Sequence, residues 1–237
     1  EPVKDKAVEW FKTRGITQQT LNDLSVTTGE EFMPQTGQKE NTIQFNYIMG
    51  DELVNIKYRD GRKNFKLYKG AEKIFYNINS IVGYDWCVIT EGEMDALALH
   101  EAGIKNVISV PNGATLNSNN LDYLDNCIDY FEDKEKIILA VDADEAGQAL
   151  RYEFIRRLGA EVCYLVDFNG NKDPNDFLIE HGAEKLRKVI NSATQVPLEG
   201  VSTLRDLEAD LLDFVHNGFK PGYQVGLENF DKIFSTY

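Results

Sequence analysis

The rhythm of apolar positions changes near residue 86. Before it, Val3, Ala7, Val8, Trp10 and Phe11 predict a short helix over residues 3–14, which Gly15 ends. Thr17 is the expected cap of a second helix running to Leu24. Residues 27–41 are polar and carry Gly29, Pro34 and Gly37, and so predict a loop. Alternation follows: Ile43, Phe45 and Tyr47, then Leu53, Ile56 and Tyr58, then Phe65, Leu67 and Ile74. Gly50-Asp51 and Asp60-Gly61 supply turns, which gives a small antiparallel sheet.

After residue 86, continuous apolar runs replace alternation. They are Cys87-Val88-Ile89, Val107-Ile108-Ser109-Val110, Ile137-Ile138-Leu139-Ala140-Val141 and Val162-Cys163-Tyr164-Leu165-Val166. Such runs are strands buried on both faces, hence a parallel sheet. Helices are expected between them at about 93–102, 118–132 and 145–158. The last places Ala146, Leu150, Phe154 and Leu158 on one stripe, with Arg151, Glu153, Arg156 and Arg157 on the outer face. The fold class is α/β: a doubly wound parallel sheet preceded by a small α+β subdomain. Residues 203–216 predict an amphipathic helix with Leu204, Leu207, Leu211 and Val215 on one stripe and Thr203-x-x-Asp206 as a capping box. The expected division is 1–85, 86–197 and 198–237.

Composition narrows the class. The chain has 237 residues, 42% apolar and 27% charged, as an ordinary globular protein does. No apolar run approaches the ~18 residues of a membrane span, and no signal peptide opens the chain. It begins Glu1-Pro2-Val3 without Met, which leaves room for residues upstream. Cys87, Cys127 and Cys163 stand apart beside apolar residues, the usage of buried, reduced thiols in a cytoplasmic protein. No C-x-x-C pair, H-E-x-x-H or P-loop occurs in these residues.

The net charge of −14 is unevenly placed. Residues 1–87 hold 12 basic and 12 acidic residues, whereas residues 88–237 hold 13 and 27. Lys57, Arg59, Arg62, Lys63, Lys66, Lys69 and Lys73 form a basic ribbon opposed only by Asp60 and Glu72. Such a ribbon either is a solvated hairpin face or holds a phosphate backbone.

Acids gather at the predicted strand ends, where open α/β sheets bind ligands. The first run ends Thr90-Glu91-Gly92-Glu93-Met94-Asp95, the third Val141-Asp142-Ala143-Asp144, and Lys172-Asp173-Pro174-Asn175-Asp176 follows the fourth. In an extended tip, Asp142 and Asp144 point to the same side. Several acids at adjacent tips stay charged together only beside cations. Oxygen-only ligands suit Mg²⁺ or Mn²⁺ and metal-assisted phosphoryl or nucleotidyl transfer. Each acid alone is also what a helix N-terminus favours.

Glu91-Gly92 with Asp95 four residues after the Glu, and the later Asp142-x-Asp144, resemble the marks of the Toprim domain. The resemblance runs over roughly residues 86–181. Asp142-x-Asp144-x-Ala146-Gly147 and Lys172-Asp173-Pro174-Asn175-Asp176 look like the versions found in primases. Trp10-Phe11-x-x-Arg14-Gly15-Ile16 and Lys57-x-Arg59 resemble the basic N-terminal subdomain of phage primase–helicases. Gly226-Leu227-Glu228-Asn229-Phe230-Asp231-Lys232-Ile233 looks like the lead-in to a RecA-like helicase domain. The whole is similar to the primase half of a bifunctional primase–helicase, as in tailed phages and Twinkle.

That resemblance implies synthesis of short RNA primers on a single-stranded DNA template from NTPs. Glu91 would be the principal catalytic acid, as a metal ligand or as a general base on the primer 3′-hydroxyl. Asp142 and Asp144 would bind Mg²⁺ or Mn²⁺, helped by Asp95 and Asp173. Lys57, Arg59, Lys63 and Lys66 would hold template or nucleotide phosphates. It also implies a helicase domain beyond residue 237, a ring oligomer of the full-length protein, and a bacterial or phage-infected cytoplasm. The zinc-binding template reader of active phage primases is absent from these residues, so it lies upstream or is lacking. Two alternatives stand: a non-catalytic single-strand-binding module of a Twinkle-like helicase, and a Toprim nuclease.

Overall fold

Thr17 caps the second helix as its position suggests: its hydroxyl accepts a hydrogen bond from the Thr20 amide at 3.5 Å. In a computed structural model that describes residues 2–112, 121–197 and 207–217, helix α1 spans Asp5–Lys12 and α2 spans Gln18–Asp23. Phe11, Ile16 and Leu21 are buried from these segments. Glu101 ties α2 down by accepting from the Thr17 amide and from the Thr17 and Thr20 hydroxyls.

The first sheet is a meander in the order β1 (Val26–Met33), β2 (Gln38–Met49), β3 (Glu52–Asp60) and β4 (Phe65–Leu67), antiparallel throughout. The expected loop over 27–41 is therefore a correction: most of it is strand. Val26 pairs with Phe45 and Met33 with Gln38, so β1 borrows its register from the apolar alternation of β2. Its solvent positions carry Glu30 and a half-exposed Phe32, which hid the period of two. Phe45, Tyr47 and Tyr76 form an aromatic cluster beneath the sheet, and the Tyr76 hydroxyl donates to the Leu24 carbonyl.

The second sheet has the order β6-β5-β7-β8-β9. Here β5 is Trp86–Thr90, β6 Val107–Ser109, β7 Lys136–Ala140, β8 Cys163–Leu165 and β9 Thr194–Gln195. The first four strands run parallel, and β9 is antiparallel to β8. Cys87, Val88 and Ile89 are fully buried, as expected of a strand covered on both faces. Helix α3 (Glu93–Glu101) buries Ala96, Leu97, Ala98 and Leu99 in succession. It can be apolar all round because α2, α6 (Pro174–His181) and α7 (Ala183–Asn191) pack on it. Helix α5 is Glu145–Leu158. The expected helix at 118–132 appears in its described part as α4 (Asp122–Asp125) and a 3₁₀ turn at Ile128–Phe131.

The chain passes from β5 to β6 on one side and then crosses to β7 on the other. The sheet therefore reverses between β5 and β7, and a crevice opens there off the carboxyl ends of these strands. Both sheets belong to one compact unit, Glu1–Val196; Pro197–Tyr237 form a second. In the second, α8 (Glu208–Asn217) exposes Leu211, Leu212, Phe214 and Val215. The capping box at Thr203 and the segment Gly226–Ile233 lie outside the described residues. Cys87, Cys127 and Cys163 are buried free thiols. Among the described residues, no helix is long and apolar enough to cross a membrane.

Gly147 fixes how α5 meets the end of β7. A Cβ there would lie 2.2 Å from the Asp142 carbonyl oxygen, which is backbone and cannot swing aside. Gly147→Ala should destabilise the fold by about 1–3 kcal/mol through overpacking, more than the roughly 1 kcal/mol of helix propensity gained. Urea unfolding checks this, and a midpoint at or above that of the wild type would contradict the close approach.

Candidate active site

A cleft of about 780 Å³ lies between the two sheets, with bases on one wall and acids on the other. Lys57, Arg59 and Lys66 reach it from β3 and β4, and Glu91, Asp95, Asp142 and Asp173 from the strand ends of the second sheet. Two of the expected residues stand elsewhere. Asp144 is exposed and caps α5, one carboxylate oxygen accepting from the Gly147 amide at 3.0 Å. The chain turns into the helix there, so Asp142 and Asp144 are not a same-side pair lining the cleft. Lys63 occupies the β3–β4 turn and lines a separate pocket beside Trp10.

Lys57 reaches the cleft, but its ammonium is committed. It donates to both Glu93 oxygens, at 2.8 and 3.0 Å, and both residues are buried. The Tyr47 hydroxyl donates to the same carboxylate. Glu93 was legible only as one acid among several in a first helical turn; nothing in its spacing named Lys57 as its partner. Arg59, two residues along the same strand, packs its guanidinium 4.6 Å from the Trp10 ring centroid, and Arg14 lies 5.5 Å from the same ring. Burial, followed by the charge of Arg14, pulls the Arg59 guanidinium below its ordinary value. Lys66 donates to Glu31 at 2.7 Å and lies over Tyr58.

On the acidic wall, Asp95 is buried in the first turn of α3. Burial first, then the charges of Asp173, Asp142 and Glu91, push its carboxyl well above the ordinary range. Asp173 caps α6 by accepting from the Asp176 amide at 2.8 Å, and Pro174 follows at the first helical position. Burial, then the charges of Asp176 and Asp142, raise Asp173 despite that hydrogen bond. Lys172 bonds Asp142 at 3.0 Å, and that contact raises the lysine.

Asn175, unmarked in the sequence beyond its motif, joins three segments. Its side-chain amide donates to the Arg14 carbonyl at 3.0 Å and accepts from the Arg14 guanidinium at 3.3 Å. Its backbone amide donates to Asp95 at 3.3 Å. The order of the Asp173-Pro174-Asn175 turn thus has a local cause: cap, helix start, bridge.

The acids supply oxygen donors alone, and repulsion among them adds to the burial that raises Asp95 and Asp173. A divalent cation such as Mg²⁺ or Mn²⁺ fits that donor set and would relieve the repulsion. Among the described residues, no group of three or more His, Cys, Asp or Glu is gathered as a ready-made metal cage.

The comparisons agree with this architecture. Residues 88–178 match the Toprim-like family model. The Twinkle homolog protein, chloroplastic/mitochondrial, of Arabidopsis thaliana is 32% identical across the whole of this chain, which covers 35% of that protein. The primase homolog protein of the same plant is 35% identical over 84% of this chain and 62% of its own length. The chain thus spans about a third and about three fifths of these relatives. The primase fragment of the bacteriophage T7 primase-helicase protein shares the fold, with a TM-score of 0.64 at 23% identity, covering 76% of this chain and 72% of that one.

Asn175→Ala removes a buried bridge and leaves the Arg14 carbonyl without its donor. It should cost about 1–3 kcal/mol, read by urea unfolding; an unchanged midpoint would show that the bridge contributes nothing. The strand-end acids, the facing basic sheet and the matched residues together establish that the chain carries a Toprim domain and is related to Twinkle and primase homologues.

Proposed function

We propose that this chain is the primase portion of a primase–helicase and makes short RNA primers on single-stranded DNA. The observation that carries the reading is the cleft itself. A wall of bases faces a wall of carboxylates across a space large enough for a nucleotide and a primer end. In the reaction, the 3′-hydroxyl of the growing primer attacks the α-phosphorus of an NTP. A phosphodiester forms, pyrophosphate leaves, and the hydroxyl proton passes to a base.

Arg59 and Lys66 are suited to hold template or nucleotide phosphates, since both line the cleft on the basic wall. Trp10 holds the Arg59 guanidinium over its ring, 4.6 Å from the centroid, which helps position a donor for phosphate oxygens. Lys57 acts mainly on structure, by neutralising Glu93. Glu91, at the tip of β5, is the principal catalytic acid, as metal ligand or as general base on the 3′-hydroxyl. Asp142 holds metal together with Glu91, with Asp95 and Asp173 as helpers and Asp144 at the rim. Bound Mg²⁺ or Mn²⁺ supplies neutralisation of charge on the transferring phosphoryl group. Lys172 on Asp142 shows the same need for positive charge met by a side chain. The helicase portion would follow residue 237, in a ring formed by the longer protein.

The test is incorporation of radiolabelled NTPs on pooled single-stranded templates with Mg²⁺ or Mn²⁺, comparing wild type with Glu91→Gln. Short products from the wild type, reduced at least a hundredfold in the folded variant, are expected. Template degradation would move the chain to the nuclease reading. Single-strand binding without synthesis, equal in both proteins, would make it a DNA-handling module.

A further inference from the structure

The outer face of α5 predicts three solvated arginines, and two of them behave accordingly. Arg156 pairs with Glu153 at 2.9 Å and Arg157 with Asp125 at 2.9 Å. Arg151 does not. It is half-buried, its Nε is shielded from solvent, and that atom has no hydrogen-bond partner. No carboxylate stands within ion-pair distance of it among the described residues, in a chain with 39 acids and 25 bases. Burial alone lowers its basicity, with no charge acting on it appreciably from either side. A half-buried cation left without a counter-charge is costly, and an arriving anion would offset that cost.

Arg151 opens into a pocket of about 430 Å³ at the carboxyl ends of β7 and β8. Gln148 from α5, with Asn171 and Lys172 from the loop after β8, also line it. Asp167, the one acid on its wall among the described residues, accepts from the Asn169 amide at 2.7 Å. Among the described residues, Lys172 alone lines both this pocket and the main cleft, and its ammonium rests on Asp142 at 3.0 Å. The pocket is thus a second, net positive space behind the Asp142 loop. It has a planar guanidinium and an exposed ammonium, the Gln148 and Asn171 side-chain amides already donating to the Ala143 carbonyl and to Glu180, and it is separate from the wall formed by Arg59 and Lys66.

We infer that this pocket binds a polyphosphate anion, with Arg151 as the fork and Lys172 as the point charge. Phosphate oxygens match a guanidinium in pairs, and Lys172 can reach a second phosphoryl group. A single carboxylate would satisfy only one of the two cations. The ligand chemistry is that of pyrophosphate or of the phosphate tail of a nucleotide. Occupation would draw Lys172 toward the anion and away from Asp142, coupling this pocket to the acidic wall. The inference stands on this pocket alone and holds whether or not the chain polymerises NTPs.

The experiment is calorimetric titration of the 237-residue chain with inorganic pyrophosphate, in metal-free buffer with chelator, for the wild type, Arg151→Gln and Lys172→Gln. Circular dichroism melts verify that each variant is folded. Saturable binding by the wild type, weakened at least tenfold in Arg151→Gln and severalfold in Lys172→Gln, is expected. Lys172 is exposed, so its variant remains informative if the Arg151 variant unfolds. Competition by ATP but not adenosine would show that a nucleotide tail is read by the same groups. No binding by the wild type, or equal binding by the wild type and both folded variants, would overturn the inference. Because the readout is binding without template or metal, a failed primer assay would leave it intact.

Discussion

A buried ion pair between Lys57 and Glu93 holds the two halves of the cleft in register. The lysine comes from β3 of the first sheet, and the glutamate from the first turn of α3, two residues after Glu91. Their side chains are only 11% and 5% exposed, so neither charge has water to fall back on. Removing one partner of such a pair typically costs about 3–5 kcal/mol, because the other is left buried and uncompensated. Residues i and i+2 of a strand share a face, so fixing Lys57 also sends Arg59 into the cleft. This contact, with the Tyr47 hydroxyl on the same carboxylate, therefore fixes where the basic wall meets the acidic wall.

Electrostatics on the acidic side follow from the sheet topology. The order of strands reverses between β5 and β7, and this brings Glu91 and Asp142 to adjacent tips. The turn at Asp173-Pro174-Asn175 closes the third side and hydrogen-bonds Asp95 through its backbone. Two lysines temper the crowd: Lys57 on Glu93 and Lys172 on Asp142. What remains is burial, and after it mutual repulsion, which together raise Asp95 and Asp173. A site so composed favours ligands that arrive with cations, as metal-bound nucleotides do.

The parallel sheet and its acids were legible because burial on both faces writes unbroken apolar runs, and an acid closing such a run stands out. Glu91 and Asp142 were found this way. Strand β1 was not, since it pairs on one side only and its exposed positions carry charge. The roles of side chains were harder to read than their positions. Lys57 looked like a phosphate ligand because a basic ribbon does not name the acid that one of its members will meet. Asp144 belonged to the right motif, and one oxygen of its carboxylate caps the helix that the motif begins. Arg151 sat at a solvent position of the helical wheel and is half-buried, lining a pocket together with the loop after β8. The misses at β1 and Lys57 concern long-range partners, which local spacing does not encode.

The most direct test of this account is a double-mutant cycle on Lys57→Met and Glu93→Met, read by urea unfolding. If the pair sets the register of the cleft, each single variant loses most of the stability that the pair protects. The double variant then recovers part of it, with a coupling of about 2 kcal/mol. Additive losses, with no coupling, would mean that the two walls are held together by something else.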